Sequence, residues 1–381
     1  KEELRKKLEL KKTANPDQIE KAQRRLNEIQ NYEDQGKIIR AKIKDLDSGI
    51  KLTKYHSIRI KKSYKKDTVK EMQDMNGVIH RDQESIGKCC VQYWSHIMRK
   101  RDINRHSMHN ILNHVQHTMP ESSRNSLGKN LDQHNGMTVD EFISTECIYE
   151  SIRGMGLSKS PGPDGLPIEF YELLMTPGHD KDVLIKWLQA VCRHSYRSGI
   201  LPKQMRKSQI KLLYKKDSEE DKKYPKNYRP IALLNVDYKI LSKLLANKLK
   251  DELTHIISTD QYCMPKKYIG DLITLIQSTI NDPNNKDTER FLAFLDFEKA
   301  FDSVNHEFTF EAMKAFGIPQ EFIRFTQLGF NQTSACCIIN GKRTKYFPLP
   351  GGGRQGDNLY PLIFAIVMQV FNIAIDKHQL K

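Results

Sequence analysis

The stretch FLAFLDFEKAFDSVNHEF, Phe291 to Phe308, decides how this chain is read. Its first five residues, Phe291 to Leu295, are an unbroken apolar run of the length of a buried strand. The run stops at Asp296, and an acid at the end of a core strand is costly unless something there needs its charge. Glu298, Lys299, Ala300, Phe301 and Asp302 follow. Ser303 or Asn305 can then cap a helix, with Glu307 in its first turn and Gly317 as its stop. The order is strand, acid, tight turn, aromatic, helix. An acid at a strand end can hold a divalent cation, and an aromatic five residues later can wall a small pocket beside it. A surface acid after a strand is the competing reading.

Downstream, Gly351 to Asp357 (GGGRQGD) is a glycine-rich loop carrying one cation and one amide, and the apolar run Leu359 to Ile375 follows at helical density. Glycines let a backbone approach a ligand closely, and the start of a helix favours anions. Paired with the acid-and-aromatic turn, the loop suggests a nucleoside-triphosphate site, with a metal acid on one side and a platform for base and sugar on the other.

Further segments complete an ordered series. They are SKSPGPDGLPIEFYELL (Ser158 to Leu174), LPKQMRKSQIKLLYKK (Leu201 to Lys216), NYRPIALLNVDYKILSKLLANKL (Asn227 to Leu249) and DQYCMPKKYIGDLI (Asp260 to Ile273). With the Asp296 stretch and the RQGD loop, this series resembles the reverse transcriptase region of non-LTR retrotransposons of the long interspersed element type. SPGPDG and NYRPIALLN are the most specific segments, and they argue against the group II intron and telomerase branches. GVIHRDQESIGKCCVQYW (Gly77 to Trp94) resembles the family's segment just before its polymerase.

The resemblance implies an α+β fold: fingers and a partial palm of a right-hand polymerase, preceded by an α-helical basic extension. It implies an RNA-directed DNA polymerase that copies element RNA into DNA by two-metal nucleotidyl transfer. The cofactor would be Mg²⁺, with Mn²⁺ as a substitute; the partners would be an RNA template, a DNA primer and dNTPs. Asp296 would be the catalytic acid, holding metal together with the backbone carbonyl of Phe297. Phe301 would exclude a 2′-hydroxyl, and Arg354, Gln355 and Gly356 would lie at the nucleotide. Lys215 and Arg229 would close on its triphosphate, Arg229 with a bidentate fork that lysine lacks. Lys159, Pro161, Gly162 and Asp164, in and beside the SPGPDG turn, would approach the template. There are two departures. Tyr360 is bulky where the family is small, and the aromatic–X–Asp–Asp turn expected after the last helix does not occur in the sequence. Two metals about 3.5–4 Å apart need carboxylates from both motifs. The expectation is therefore a polymerase truncated before its second carboxylate motif and inactive as this fragment; the alternative is a non-catalytic nucleic-acid-binding remnant.

Composition fits a polyanionic partner. The 381 residues carry a formal charge of +15. Residues 1–135 hold 29 Lys and Arg against 18 Asp and Glu, an excess of eleven that leaves four for the remainder. Lys51 to Lys66, with Tyr55 and Tyr64 interleaved, read as a nucleic-acid arm. Seven cysteines without CxxC spacing point to reduced thiols, and a charged start without a long apolar run points away from secretion and membranes. A nuclear or cytoplasmic ribonucleoprotein is expected. The domain reading is a helical basic extension at 1–120, a linker at 121–137, fingers at 138–290 and partial palm at 291–381. Helices are expected over 71–118, broken near Gly77 and Gly87, after a capping box at Thr138 and Glu141, over Lys186 to Tyr196 and over Tyr238 to Leu253. Strands are expected over Ser208 to Tyr214 and Ile231 to Leu234, and a hairpin about Asn340-Gly341.

Overall fold

The computed structural model describes residues 68–120, 127, 131, 139–175, 181–215, 218–259, 261–262, 267–281 and 293–377. In chain order the elements are the short strands β1 (Met72–Gln73) and β2 (Ile79–His80), then helices α1 (Gln83–Ile97), α2 (Arg105–Thr118), α3 (Val139–Phe142), α4 (Thr145–Arg153), α5 (Ile168–Leu174) and α6 (Lys181–Ser198). Strands β3 (Lys207–Tyr214) and β4 (Tyr228–Leu234) follow, then α7 (Val236–Ile256), α8 (Ile269–Asn281), α9 (Ala300–Ser303), α10 (His306–Ala315) and α11 (Gln320–Leu328). Last come β5 (Ser334–Ile339), β6 (Lys342–Arg343), β7 (Phe347–Pro348) and α12 (Tyr360–Lys377). This is an α+β fold, as the sequence implies.

The main sheet runs β4-β3-β5-β6, with β7 also on β5. β3 and β4 are antiparallel with Ile210 opposite Ala232, and β5 lies parallel to β3 with Cys337 opposite Ile210. Burial alternates along β4, with Tyr228, Pro230, Ala232 and Leu234 inward, the period-two pattern of a strand with one covered face. Pro230 is tolerated because β4 is an outer strand that can spare one donor. Asn340 and Gly341 both have positive φ, 50° and 80°, the geometry of the two-residue hairpin turn expected there.

Helix α7 buries Ile240, Leu241, Leu244, Leu245 and Leu249, the inward face that its periodicity predicts. It shares the larger core with residues of α4, α6, α10, α11 and α12. A second core lies where α1 meets the sheet: Ile86, Cys90 and Trp94 pack with Ile210, Ala335, Cys337 and Phe347. Helix α12 is apolar enough over its 18 residues to meet the length and composition of a membrane span. Its Ile363, Ala365, Ile366 and Val370 nevertheless belong to the larger core. Beside it lies an apolar groove of about 410 Å³, lined by residues including Phe297, Val304, Phe308, Phe364 and Phe371.

Five expectations are corrected. The compact unit begins at Val69, not after a separate extension ending at 120. Its first helix carries Trp94, fully buried, so residues 69–119 have too much apolar surface to stand off the sheet. Leu127 and Leu131, within the expected linker, are buried in the larger core. Gly87 lies inside α1 rather than breaking it, while Gly77 (φ 88°) makes the β1–β2 turn. The helix expected from Thr138 to Gly154 is divided into α3 and α4, and α4 has its own cap at Ser144, whose side chain accepts from Cys147 N at 3.2 Å; Thr138 lies outside the described residues. The nucleic-acid arm expected at Lys51 to Lys66 also lies outside them.

The fifth correction bears on function. Ala293 to Phe297 is irregular, not a strand, and Phe294 and Leu295 are 80% and 69% exposed. A strand needs a partner for its N–H and C=O groups. The outer edge of β4 offers none there, because Ala232 N donates to Gln355 O (2.7 Å) and Tyr228 O accepts from Lys299 Nζ (3.0 Å).

Candidate active site

The second half of the organising stretch is where the site is built. Lys299 takes a left-handed φ of 53° and α9 starts directly after it. Its ammonium donates to Lys226 O (3.1 Å) and Tyr228 O (3.0 Å) and lies 4.7 Å from the centre of the Trp94 ring. Burial pulls its pKa down to about 8, and the like charges of Lys215 and Arg229 add to the fall. Asn305 then caps α10, accepting from Phe308 N at 3.2 Å, and Gly317 (φ 83°) follows its end.

The glycine-rich loop docks on this turn. Gly353 N donates to Phe301 O (2.9 Å), Gly352 N to Val304 O (2.8 Å), and His306 Nε2 meets Gly352 O (2.7 Å). Gln355 Nε2 donates to both carboxylate oxygens of Asp302, at 3.1 and 3.0 Å. Asp302 is 1% exposed. Burial pushes its pKa up to about 6, against Lys299, the Gln355 hydrogen bond and Lys215.

Tyr360, the residue that departs from the family pattern, fills the space above Gly353. A Cβ on Gly353 would stand 2.1 Å from the Tyr360 ring, so only glycine allows this approach. The Tyr360 hydroxyl donates to Phe301 O at 2.9 Å. The Phe301 ring stacks on Phe364 (4.3 Å between centroids) and meets Tyr360 edge-on (5.5 Å). The bulky tyrosine thus ties the loop to the turn.

The β4–α7 segment joins the other motifs to this pair. Gly162 lies against buried Asn235, the N-cap of α7, where a Cβ would come within 2.2 Å of its Oδ1. Asp164 N donates to the same oxygen (3.3 Å). Asn358 N donates to Ser242 Oγ (3.1 Å) and Asn358 Nδ2 to Lys239 O (3.2 Å). A cleft of about 190 Å³ opens between turn and loop, lined in part by Lys159, Lys239, Gly356 and Asn358. Burial lowers the pKa of Lys239.

The structure therefore brings the Phe301 turn and the Gln355–Gly356 loop together, with Lys215 and Arg229 exposed at the loop end of the β3–β4 hairpin. Lys159 and Asp164 are exposed, Pro161 half-buried and Gly162 buried. Asp296 is exposed, and Phe297 packs its ring edge-on against Phe371 (5.4 Å). Among the described residues Asp296 makes no hydrogen bond or ion pair, and no group of three acids, histidines or cysteines is placed to hold a metal.

Arg354 is a correction. Its guanidinium is buried, donates to Gly329 O (2.9 Å), covers the Tyr238 ring at 4.0 Å and lies 4.0 Å from Asp357 Oδ2. It braces the loop from behind, buried rather than open to solvent as a phosphate-binding cation would be. Sequence reasoning missed Lys299, Lys239 and Asn235 as site-building residues. The one available signal was position: Lys299 between two acids, and Lys239 in the first turns of a helix beginning at the end of NYRPIALLN.

The docked loop, the turn beneath it and the hairpin cations share one side of this α+β fold. Residues 214–380 match the family model described as reverse transcriptase (RNA-dependent DNA polymerase), so this part of the chain is similar to that family. The relatives that the chain matches are proteins of non-LTR retrotransposons. It is 30% identical over 230 residues to the transposon TX1 uncharacterized 149 kDa protein of Xenopus laevis, covering 60% of this chain and 17% of that protein. It is 25% identical over 214 residues to the retrovirus-related Pol polyprotein from the type-2 retrotransposable element R2DM of Drosophila melanogaster, covering 56% and 19%. To the probable RNA-directed DNA polymerase from transposon BS of Drosophila melanogaster it is 27% identical over 234 residues, covering 59% and 24%. The chain thus spans between 17% and 24% of the length of these three relatives.

Proposed function

We propose that this chain supplies the fingers and the nucleotide side of the palm to an RNA-directed DNA polymerase that copies a retrotransposon's RNA into DNA. The observation that carries the reading is the docking of the Gly351–Asp357 loop onto the Lys299–Val304 turn, with Gln355 on Asp302 and the hairpin cations nearby. In this reaction a primer 3′-hydroxyl displaces pyrophosphate from a deoxynucleoside triphosphate, and catalysis is mostly positioning and charge stabilisation. Arg229 and Lys215 meet the triphosphate, the former through its planar fork. Gln355 and Gly356 lie against sugar and base. Phe301 serves as the wall that excludes a 2′-hydroxyl; its packing on Phe364 and Tyr360, which would hold the ring in place, supports the reading. Lys159, Pro161, Gly162 and Asp164 guide the template, with Lys239 across the cleft from Lys159.

The family uses divalent metal. An exposed carboxylate at Asp296 beside the carbonyl of Phe297 is a hard-oxygen donor pair suited to Mg²⁺, or to Mn²⁺ in its place. The ion would neutralise charge on the transferred group and favour ionisation of the attacking hydroxyl.

Photo-crosslinking tests the reading. With primer–template and Mg²⁺ present, azido-dATP should label peptides spanning residues 293–306 and 351–358, and excess dATP should suppress the label. Labelling that dATP cannot compete away, or labelling elsewhere in the chain, sinks it. A non-catalytic nucleic-acid-binding role has one observation in its favour, the exposed and unpaired segment around Asp296; crosslinking to template without nucleotide competition would support that role.

A further inference from the structure

Asp302 and Gln355 are 53 residues apart and meet in one bifurcated contact, a single amide nitrogen shared between two carboxylate oxygens. An ionised carboxylate only accepts, so the nitrogen end of the amide must face it. The Gln355 backbone is fixed separately, its carbonyl accepting from Ala232 N at 2.7 Å. The side-chain torsions and the flip of the amide are not set by that bond, and the two contacts to Asp302 hold the nitrogen end in place. Among the described residues the Gln355 amide oxygen accepts no hydrogen bond, and the residue is half-buried. Four groups besides Gln355 face the Asp302 carboxylate: Lys299 on its own turn, Lys215 on the hairpin, Tyr93 on α1 and Tyr360 on α12. The two cations support its charged form; burial opposes it.

We propose that Asp302 is a positioning residue for nucleotide binding: it sets the polarity of the Gln355 amide, so that the loop offers an acceptor to a hydroxyl or amino donor of the bound nucleotide. This rests on the nucleotide reading of the loop given above.

The test is a double-mutant cycle on the full chain, with N-methylanthraniloyl-dATP, Mg²⁺ and primer–template. Gln355→Ala and Asp302→Asn should each weaken nucleotide binding by about 10-fold, and the double variant should bind no more weakly than either. Asp302→Asn keeps the shape but can offer its own NH₂ to Gln355, so the amide can turn over. Its melting temperature at pH 7 should not fall, which separates the effect from unfolding. A second measurement needs no altered Asp302. The Gln355 side-chain amide resonance, identified by its absence in Gln355→Ala, should shift in the unaltered protein as Asp302 takes up a proton. Loss of affinity with Gln355→Ala but not with Asp302→Asn would overturn the positioning role and leave the nucleotide reading standing. So would additive losses in the double variant, or an amide resonance that ignores pH. No change with either variant, or no nucleotide bound by the unaltered chain, would take away both.

Discussion

Two neighbouring pieces of one motif behave in opposite ways. Ala293 to Glu298 is exposed and irregular, whereas Lys299 to Val304, starting one residue later, is tied into the molecule on three sides. Composition does not separate them, since the exposed piece is the more apolar. Partners do. The second piece has Trp94 under its lysine, the glycine loop over its carbonyls and Gln355 on its acid. The first piece lacks a ladder, because β4's outer edge is already taken by Lys299 and the loop. Apolar character therefore tells that a segment gains by burial, and the supply of backbone partners decides whether it is buried as a strand.

The largest expected effect breaks the comparison at its exposed end. In a polypeptide extended to include a second carboxylate motif, Asp296→Asn should lower template-directed dNTP incorporation by on the order of 10³-fold or more. Its melting temperature should stay unchanged, because the side chain is exposed and unpartnered among the described residues. A variant keeping a tenth of the activity would return Asp296 to an ordinary surface acid.

Next comes the buried acid of the docked piece. The folded-state pKa of Asp302, about 6, lies above its ordinary 3.8. Its protonated form therefore contributes stability that is fully present below pH 3.8 and is lost as pH rises through about 6. Asp302→Asn cannot ionise and does not lose it. Denaturant unfolding should show the variant gaining about 2–3 kcal/mol on the unaltered protein between pH 4 and pH 7. A difference that stays flat across that window would mean Asp302 is not buried as described.

How far the sequence foretold this follows the same division. The inward face of α7, the Asn340-Gly341 turn and the Asn305 cap were legible, because each depends on residues within a few positions of one another. The convergence of the two organising stretches was implied by resemblance, not by local pattern. Arg354 was expected to be open at the loop because a cation in a glycine loop suggests an anion, and it is buried. Its actual partners, the Tyr238 ring and the Gly329 carbonyl, are 116 and 25 residues away in the chain. Lys299 was passed over for a similar reason: its acceptors Lys226 O and Tyr228 O are 73 and 71 residues distant. Buried polar contacts between remote segments leave no period in a sequence.

A smaller effect sharpens the docked side. Gly353→Ala would drive a methyl into the Tyr360 ring, and overpacking of this kind costs about 2 kcal/mol. In a Tyr360→Ala background the same change should cost less than about 0.5 kcal/mol, since the clash has gone. Equal costs in both backgrounds would show that the loop does not rest on Tyr360.

The smallest effect is the most diagnostic for the comparison. Phe294 is 80% exposed, so its ring already faces water and contributes little transfer free energy to the fold. Phe294→Ser should change unfolding free energy by less than about 0.5 kcal/mol, the usual range for a surface position. A buried strand phenylalanine cut back this far would instead cost about 3–5 kcal/mol. Chemical denaturation of the full chain separates the two outcomes by several times its error. A large loss would mean that Ala293 to Phe297 enters the sheet in solution and displaces Lys299 or the Gln355 carbonyl from the β4 edge. A negligible loss, persisting when primer–template and nucleotide are added, would leave Asp296 on a segment outside the sheet. A loss that grows only on adding them would show that the bound substrates supply the partners this segment lacks by itself.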